Sequence, residues 1–145
     1  MRRSLLGVLL GLSVMLAACG NNSSTTGSGG TVQITLSDFK ITSSQTQFTA
    51  GKTYHLNVKN TSQTAHEFMI MPQMGNGGTM SMDDAHKMAL AMIDTIGSGE
   101  TKTLDYTFKG DTAMPGMGMN QSLEFDCMLP GHYDAGMHTA ITVKS

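Results

Sequence analysis

Most of the chain alternates apolar and polar residues with a period of two, which is the pattern of half-buried β-strands. The alternation begins at Thr31 and runs to Lys144, with short polar or glycine-rich interruptions, and residues 46–48 form a weaker strand candidate. The apolar members of the alternating sets are Val32, Ile34, Leu36, Tyr54, Leu56, Val58, Phe68, Ile70, Leu104, Tyr106, Phe108, Leu123, Phe125, Ile141 and Val143. Many short strands separated by turns predict an all-β sandwich or barrel.

One segment departs from this alternation and indicates an inserted helix. Ser81 is a suitable N-cap, and Asp83 and Asp84 would lie in the first turn, where their charges complement the helix dipole. Several apolar residues then recur at helical spacing, namely Ala85, Ala89, Met92, Ile93 and Ile96. The pattern predicts an amphipathic helix over residues 82–96, ended by the glycines of residues 97–99.

The beginning of the chain is typical of an export signal. Arg2 and Arg3 precede the apolar run 5–18, which is too short to span a bilayer comfortably as a helix. The small residues before Cys19 resemble a bacterial lipoprotein box, which implies cleavage before Cys19 and lipid attachment to its sulfur. The alternative is an ordinary signal peptide that happens to contain a cysteine.

These features predict three parts. Residues 1–18 are a signal peptide. Residues 19–30 are the lipidated cysteine and a flexible linker rich in Ser, Thr, Gly and Asn, and residues 31–145 are one domain. The protein is therefore expected to be exported and lipid-anchored to a cell membrane, facing the periplasm or the exterior. The net charge of −2 and the lack of a basic patch argue against nucleic-acid binding.

The cysteine count restricts the chemistry of the domain. The chain has two cysteines, Cys19 and Cys127, so lipidation of the first excludes an internal disulfide. Cys127 would then be a lone thiol in an exported protein. Such thiols oxidise unless they are buried or bind a metal.

A C-terminal loop places this thiol beside two further soft or borderline ligands. Cys127, His132 and Met137 follow one another at intervals of five residues. A Cys–His pair with a weak axial Met is most of a blue-copper electron-transfer site, which requires one more histidine.

His66 is the candidate for that missing ligand. It shares a strand face with Phe68 and Ile70, which points it toward the core, whereas His55 and His86 are expected to be exposed. A histidine on an apolar face is more often a satisfied core residue than a ligand. The ligand interpretation is favoured here because a copper site at the Cys127 loop requires a second imidazole.

At this point the pattern resembles the cupredoxins, the family that includes plastocyanin, azurin and auracyanin. The resemblance extends from about Val32 to the end of the chain. It rests on the segment Ala-His-Glu-Phe at 65–68, on a Gly-x-Thr turn into a Tyr-x-Phe strand at 99–108, and on Cys-x-x-Pro-Gly-His-Tyr-x-x-Gly-Met at 127–137.

The resemblance implies a Greek-key β-sandwich or barrel that binds one type 1 copper ion. By resemblance, His66, Cys127 and His132 form the trigonal plane around copper, and Met137 is the axial ligand. It also implies an electron carrier whose partner is another redox protein, such as a cytochrome or a membrane oxidase or reductase. We expect a monomer.

Methionines are abundant, with fourteen in the chain. Met88 and Met92 are expected to be core residues of the helix, and Met69 and Met71 ordinary strand residues. Six others lie in or beside glycine-rich loops with little core to fill, namely Met74, Met80, Met82, Met114, Met117 and Met119. Because thioethers bind Cu(I), Met114, Met117 and Met119 are candidate ligands of a secondary Cu(I) site. A docking patch and a merely apolar surface are the alternatives.

Two functions therefore compete. The set of one cysteine, two histidines and one methionine favours an electron carrier, whereas the Met-rich loops favour capture, storage or delivery of Cu(I). An oxidase or reductase is disfavoured, because a binuclear copper centre requires a second nearby cysteine and multicopper oxidases require paired His-x-His motifs, neither of which is present.

Overall fold

The computed structural model describes residues 27–74, 80–110 and 121–145. In chain order the elements are β1 (Ser28–Ser37), β2 (Lys40–Ser43), β3 (Gln47–Thr49), β4 (Thr53–Asn60), β5 (His66–Pro72), α1 (Met82–Met88), β6 (Ala91–Ile96), β7 (Thr101–Thr107), β8 (Gln121–Asp126) and β9 (His138–Lys144). Among these described residues, no helix is long and apolar enough to cross a membrane.

The strands form two sheets. A four-stranded sheet has the order β2-β1-β4-β7, and a five-stranded sheet has the order β3-β9-β8-β5-β6. The pairs β1–β4 and β3–β9 are parallel, and the other described pairs are antiparallel. The all-β sandwich with one inserted helix that the sequence predicts is confirmed.

The main core lies between the two sheets and contains the apolar residues of the period-two pattern. Four aromatic rings interlock near its centre: Phe48 stacks on Phe108 at 4.2 Å between centroids, and Tyr54 and Phe125 meet Phe48 edge-on. Each of these large rings buries a large apolar area in the sandwich interior.

The predicted helix over residues 82–96 is wrong in its second half. Ser81 caps α1 as predicted, since its side chain accepts a hydrogen bond from the Asp84 N–H, but the helix ends at Met88. Residues 91–96 form β6 and pair with β5, with Ile93 opposite Phe68 and Ala91 opposite Ile70. An exposed sheet edge offers a full ladder of backbone hydrogen bonds, and this pairing outweighs a short helical periodicity.

The first strand begins inside the segment expected to be a linker. Residues 28–30 belong to β1, where Gly30 pairs with Tyr54 of β4. Gly29 lies against the Tyr54 ring with no room for a Cβ, so glycine here allows close packing. The predicted signal peptide and the lipidation site Cys19 lie outside the described residues, as do Met114, Met117 and Met119.

Candidate metal centre

Three chain segments converge at one end of the sandwich. His66 is the first residue of β5, Cys127 follows β8 directly, and Met137 immediately precedes β9. Strands β5 and β8 are antiparallel neighbours, with Met69 opposite Asp126, so His66 and Cys127 lie at the same end of the sheet. The loop between β8 and β9 contributes His132.

Backbone hydrogen bonds hold this loop in a tight fold. The His132 N–H donates to the Leu129 carbonyl at 2.9 Å, and Gly131 takes a φ of 81°, which is the left-handed conformation that glycine adopts readily. The Met137 N–H donates to the His132 carbonyl at 3.0 Å, and the Cys127 N–H donates to the Met137 carbonyl at 3.1 Å. These hydrogen bonds connect Cys127, His132 and Met137 to one another.

The donor atoms of His66, Cys127 and His132 all lie within 4.8 Å of one another. Nδ1 of His132 is 3.3 Å from Nδ1 of His66 and 3.4 Å from Sγ of Cys127. Nitrogen and sulfur ligands lie about 2.0–2.3 Å from a shared divalent ion, so ligands about 120° apart are separated by about 3.5 Å. The observed spacing therefore fits three ligands in a trigonal plane.

A buried hydrogen-bond network orients His66. Ser62 Oγ lies 2.7 Å from His66 Nε2 and 2.8 Å from Asn60 Oδ1. A hydroxyl has one proton to donate. If that proton goes to the Asn60 amide oxygen, Ser62 accepts the Nε2–H of His66, and Nδ1 is left with a free lone pair toward Cys127. Such outer hydrogen bonds fix the tautomer of ligating histidines.

The site is buried except at His132. His66, Cys127 and Met137 are almost inaccessible, whereas His132 is half-buried. The ring of Phe39 meets the His132 ring edge-on at 5.4 Å between centroids, and Phe39 remains 51% exposed. Phe39 also has a φ of 54°, an unfavourable conformation for a bulky residue that is often found at functional sites. Nothing in the sequence pattern points to this contact.

Burial sets the protonation of the donors. It raises the pKa of the Cys127 thiol to about 11. Burial, and next the neighbouring His132, lower the pKa of His66. The site therefore presents a neutral imidazole and a protonated thiol near neutral pH, and a cation that binds here displaces the thiol proton.

The opposite face of β5 and β8 carries buried acidic residues. Glu67, Glu124 and Asp126 are each at most 1% exposed. The Tyr133 hydroxyl donates to Glu124 at 2.9 Å, whereas neither carboxyl oxygen of Asp126 has a hydrogen-bond partner within the described parts of the chain. Burial, followed by the charges of Glu124 and Glu67, raises the pKa of Asp126 from 3.8 to about 8.

Glu67 links the segments that position His66 and Cys127. It follows His66 directly, and its carboxylate accepts the Met128 N–H, next to Cys127, at 2.7 Å. Its other oxygen lies 3.0 Å from Nε2 of His86, whose side chain is 32% exposed, so the expectation of a freely exposed His86 is wrong. His55 is exposed as expected and pairs with Asp105.

A second apolar cluster covers this acidic face. Met69 and Met71 of β5 pack with Ala85 of α1 and with Met128, and further methionines lie around them, namely Met74, Met80 and Met92. Met92 packs against this cluster, although it lies on β6 and not on a helix. Met88 is 45% exposed, so its expected place in the core is wrong. Period-two alternation could not reveal this cluster, because it predicts only one buried face for each strand.

No protein-family model matches the chain, and no curated protein sequence matches it. Solved structures do match. An auracyanin from Roseiflexus castenholzii is 23% identical, with a TM-score of 0.56, and the match covers 82% of this chain and all of that one. Rusticyanin from Thiobacillus ferrooxidans is 17% identical, with a TM-score of 0.58 and coverage of 81% and 79%.

Auracyanin A from Chloroflexus aurantiacus, described as a "blue" copper protein, is 19% identical, with a TM-score of 0.51 and coverage of 80% of this chain and 100% of that one. At these identities the likeness concerns the fold. The chain therefore has the cupredoxin fold, and the cluster of His66, Cys127 and His132 lies at one end of it.

We expect replacement of Glu67 by Ala to lower the free energy of unfolding by about 1–3 kcal/mol, because the buried Met128 N–H loses its acceptor. Glu67→Gln keeps a carbonyl oxygen in the same place and is expected to cost less. Urea unfolding of the metal-free protein measures both variants. Equal losses for Ala and Gln would contradict the role of Glu67 as an acceptor.

The raised pKa of Asp126 predicts a pH-dependent stability of the metal-free protein. Between about pH 4 and pH 8 the folded protein keeps a proton that the unfolded chain has lost, so this residue makes the protein less stable as the pH rises. Asp126→Asn mimics the protonated form. The variant should therefore become more stable relative to the unmodified protein as the pH rises from 4 to 8, which is measured as the difference between their free energies of unfolding. A constant difference would contradict the raised pKa.

Proposed function

We propose that this protein is a blue-copper electron-transfer protein in which one copper ion is held by His66, Cys127, His132 and Met137. The observation that carries the proposal is the convergence of two imidazole nitrogens and a buried thiol within 4.8 Å. A trigonal His₂Cys set with a weak axial methionine is the donor set of type 1 copper sites. The cupredoxin fold, shared with auracyanin and rusticyanin, supports the same assignment.

The donor set also fits copper by its chemistry. The combination is softer than the oxygen ligands that Mg²⁺ or Ca²⁺ prefers, and it includes a thiolate and a thioether. Met137 is fully buried in the main core beside Cys127, and its backbone is bonded to both Cys127 and His132. Its place in the loop therefore supports a role as the fourth ligand.

Each residue has a distinct task in this proposal. Bound copper supplies one-electron redox chemistry, Cu(I)/Cu(II). Cys127 donates a thiolate after losing its proton, and burial keeps water and oxidants away from its sulfur. Ser62 holds His66 in the ligating tautomer. The hydrogen bonds of residues 127–137 limit movement of the ligands, which favours rapid electron transfer.

His132 is the proposed point at which electrons leave and enter. It is the most accessible of the three clustered donors, and exposed Phe39 lies against its ring. A partner that contacts this end approaches the metal through a single side chain. The partner is proposed to be another redox protein, such as a cytochrome or a membrane oxidase or reductase, and no reaction of the chain's own on an organic substrate is proposed.

We further propose that the protein is exported and held at the outer face of a membrane by a lipid on Cys19. The basic start, the apolar run of residues 5–18 and the lipoprotein-like residues before Cys19 support this. When the full chain is expressed in bacteria, it should fractionate with membranes and incorporate labelled fatty acid, and Cys19→Ala should do neither. A variant that retained both properties would contradict the anchor.

The copper assignment is tested by visible absorption and electron paramagnetic resonance of the protein loaded with one equivalent of Cu(II). We expect an intense thiolate-to-copper band and narrow hyperfine splitting. Cys127→Ser should abolish the band, because a hydroxyl cannot replace the thiolate. His55→Ala is a matched control, because His55 is exposed and pairs with Asp105 outside the site. An intense band that survived in Cys127→Ser would refute the assignment.

A further inference from the structure

A pocket of about 230 Å³ opens between α1 and the loop that carries the copper ligands. One wall consists of Met80 and Met82, and the other of Met128 and the residues that follow it, including Pro130, Tyr133 and Asp134. Organic ligands usually occupy pockets of about 300–1,000 Å³, and one water takes about 30 Å³ of liquid volume. The pocket is thus small for an organic molecule and ample for an ion with a few waters.

The lining of the pocket has an unusual donor chemistry. Three of its side chains are thioethers, and these soft donors select Cu(I) over harder ions. Asp134 adds a carboxylate at the rim, whose charge favours a cation. The Tyr133 hydroxyl is already engaged with Glu124, so the thioethers are the main free donors of the lining.

Packing alone does not account for all three methionines. Met69 and Met71 are fully buried and serve as core of the outer cluster. Met82, in contrast, is 38% exposed and lies outside that cluster. Met128 retains 8% exposure and Met80 is half-buried, so the three methionines of the lining range from nearly buried to exposed.

We propose that this pocket binds a second copper ion, as Cu(I), through Met80, Met82 and Met128. The site goes beyond the proposed electron-transfer centre, since none of its residues is a ligand of that centre. It lies next to it, because Met128 directly follows Cys127 and its N–H is fixed by Glu67. The loop after β8 would thus contribute residues to both sites.

The test is a Cu(I) titration of the full chain, in detergent, whose first site already holds one copper reduced by ascorbate. Bicinchoninate serves as the competing Cu(I) chelator. We expect one further equivalent of Cu(I) to be retained, with an X-ray absorption spectrum that shows thioether sulfur around the added ion. In Met80→Leu/Met82→Leu/Met128→Leu this equivalent should be lost, while the blue band of the first site, after reoxidation, is kept.

Two further variants separate loss of the pocket from a general effect of methionine removal or misfolding. Met69→Leu/Met71→Leu removes two thioethers that belong to the neighbouring cluster but do not line the pocket, and it should retain both copper ions. Met80→Leu/Met82→Leu leaves nearly buried Met128 unchanged, so it tests the pocket if the triple variant does not fold, and it should also lose the second ion. Retention of only one equivalent by the unmodified protein, or of two by Met80→Leu/Met82→Leu, would overturn the proposal. Absence of the blue band would instead contradict the first site.

Discussion

The structure holds one thiol and two imidazoles close together at a site where only His132 is accessible to water. Burial alone opposes this arrangement, since it raises the pKa of Cys127 to about 11 and lowers that of His66. Neutral donors can be buried at modest cost, and a metal cation then favours the thiolate by displacing the proton. The end of a β-sandwich suits this requirement, because strands from one sheet deliver ligands to a single point while the core excludes solvent.

The two strands that position His66 and Cys127, β5 and β8, are largely buried on both faces. On the inner face, Phe68 and Phe125 pack in the main core and lead to the donors. On the outer face, Glu67, Glu124 and Asp126 are buried beside a cluster that contains Ala85 of α1, Met128 and the methionines of β5. Glu67 connects the faces, since it follows His66 in the chain and accepts the N–H of Met128, next to Cys127. The inserted segment between β5 and β6 therefore shields a polar layer that would otherwise face water.

The fold class could be predicted from the sequence, and so could three residues that the structure brings within 4.8 Å of one another, His66, Cys127 and His132. Period-two alternation identifies strands because it reports one buried face directly. Cys127, His132 and Met137 are recognisable because they lie at intervals of five residues in one short loop, and His66 because it lies on an apolar face and a copper site at that loop needs a second imidazole. These features are local, so they can be recognised without knowing how distant segments pair.

What could not be predicted depends on contacts between distant segments. Ala91–Ile96 has helical spacing but becomes a strand, because the edge of β5 is available to it. The orienting bond from Ser62 to His66 and the contact of Phe39 with His132 arise only after folding. In sequence, the outer acidic residues have the pattern of an exposed strand face. They are buried because α1 and the methionines of the second cluster cover them.

The proposed copper site is tested most directly by a crystal structure of the protein loaded with one equivalent of copper, with anomalous data at the copper edge. We predict one strong peak within about 2.3 Å of His66 Nδ1, His132 Nδ1 and Cys127 Sγ, with the Met137 sulfur at a longer distance. A copper ion bound elsewhere, with Cys127 unligated, would contradict it.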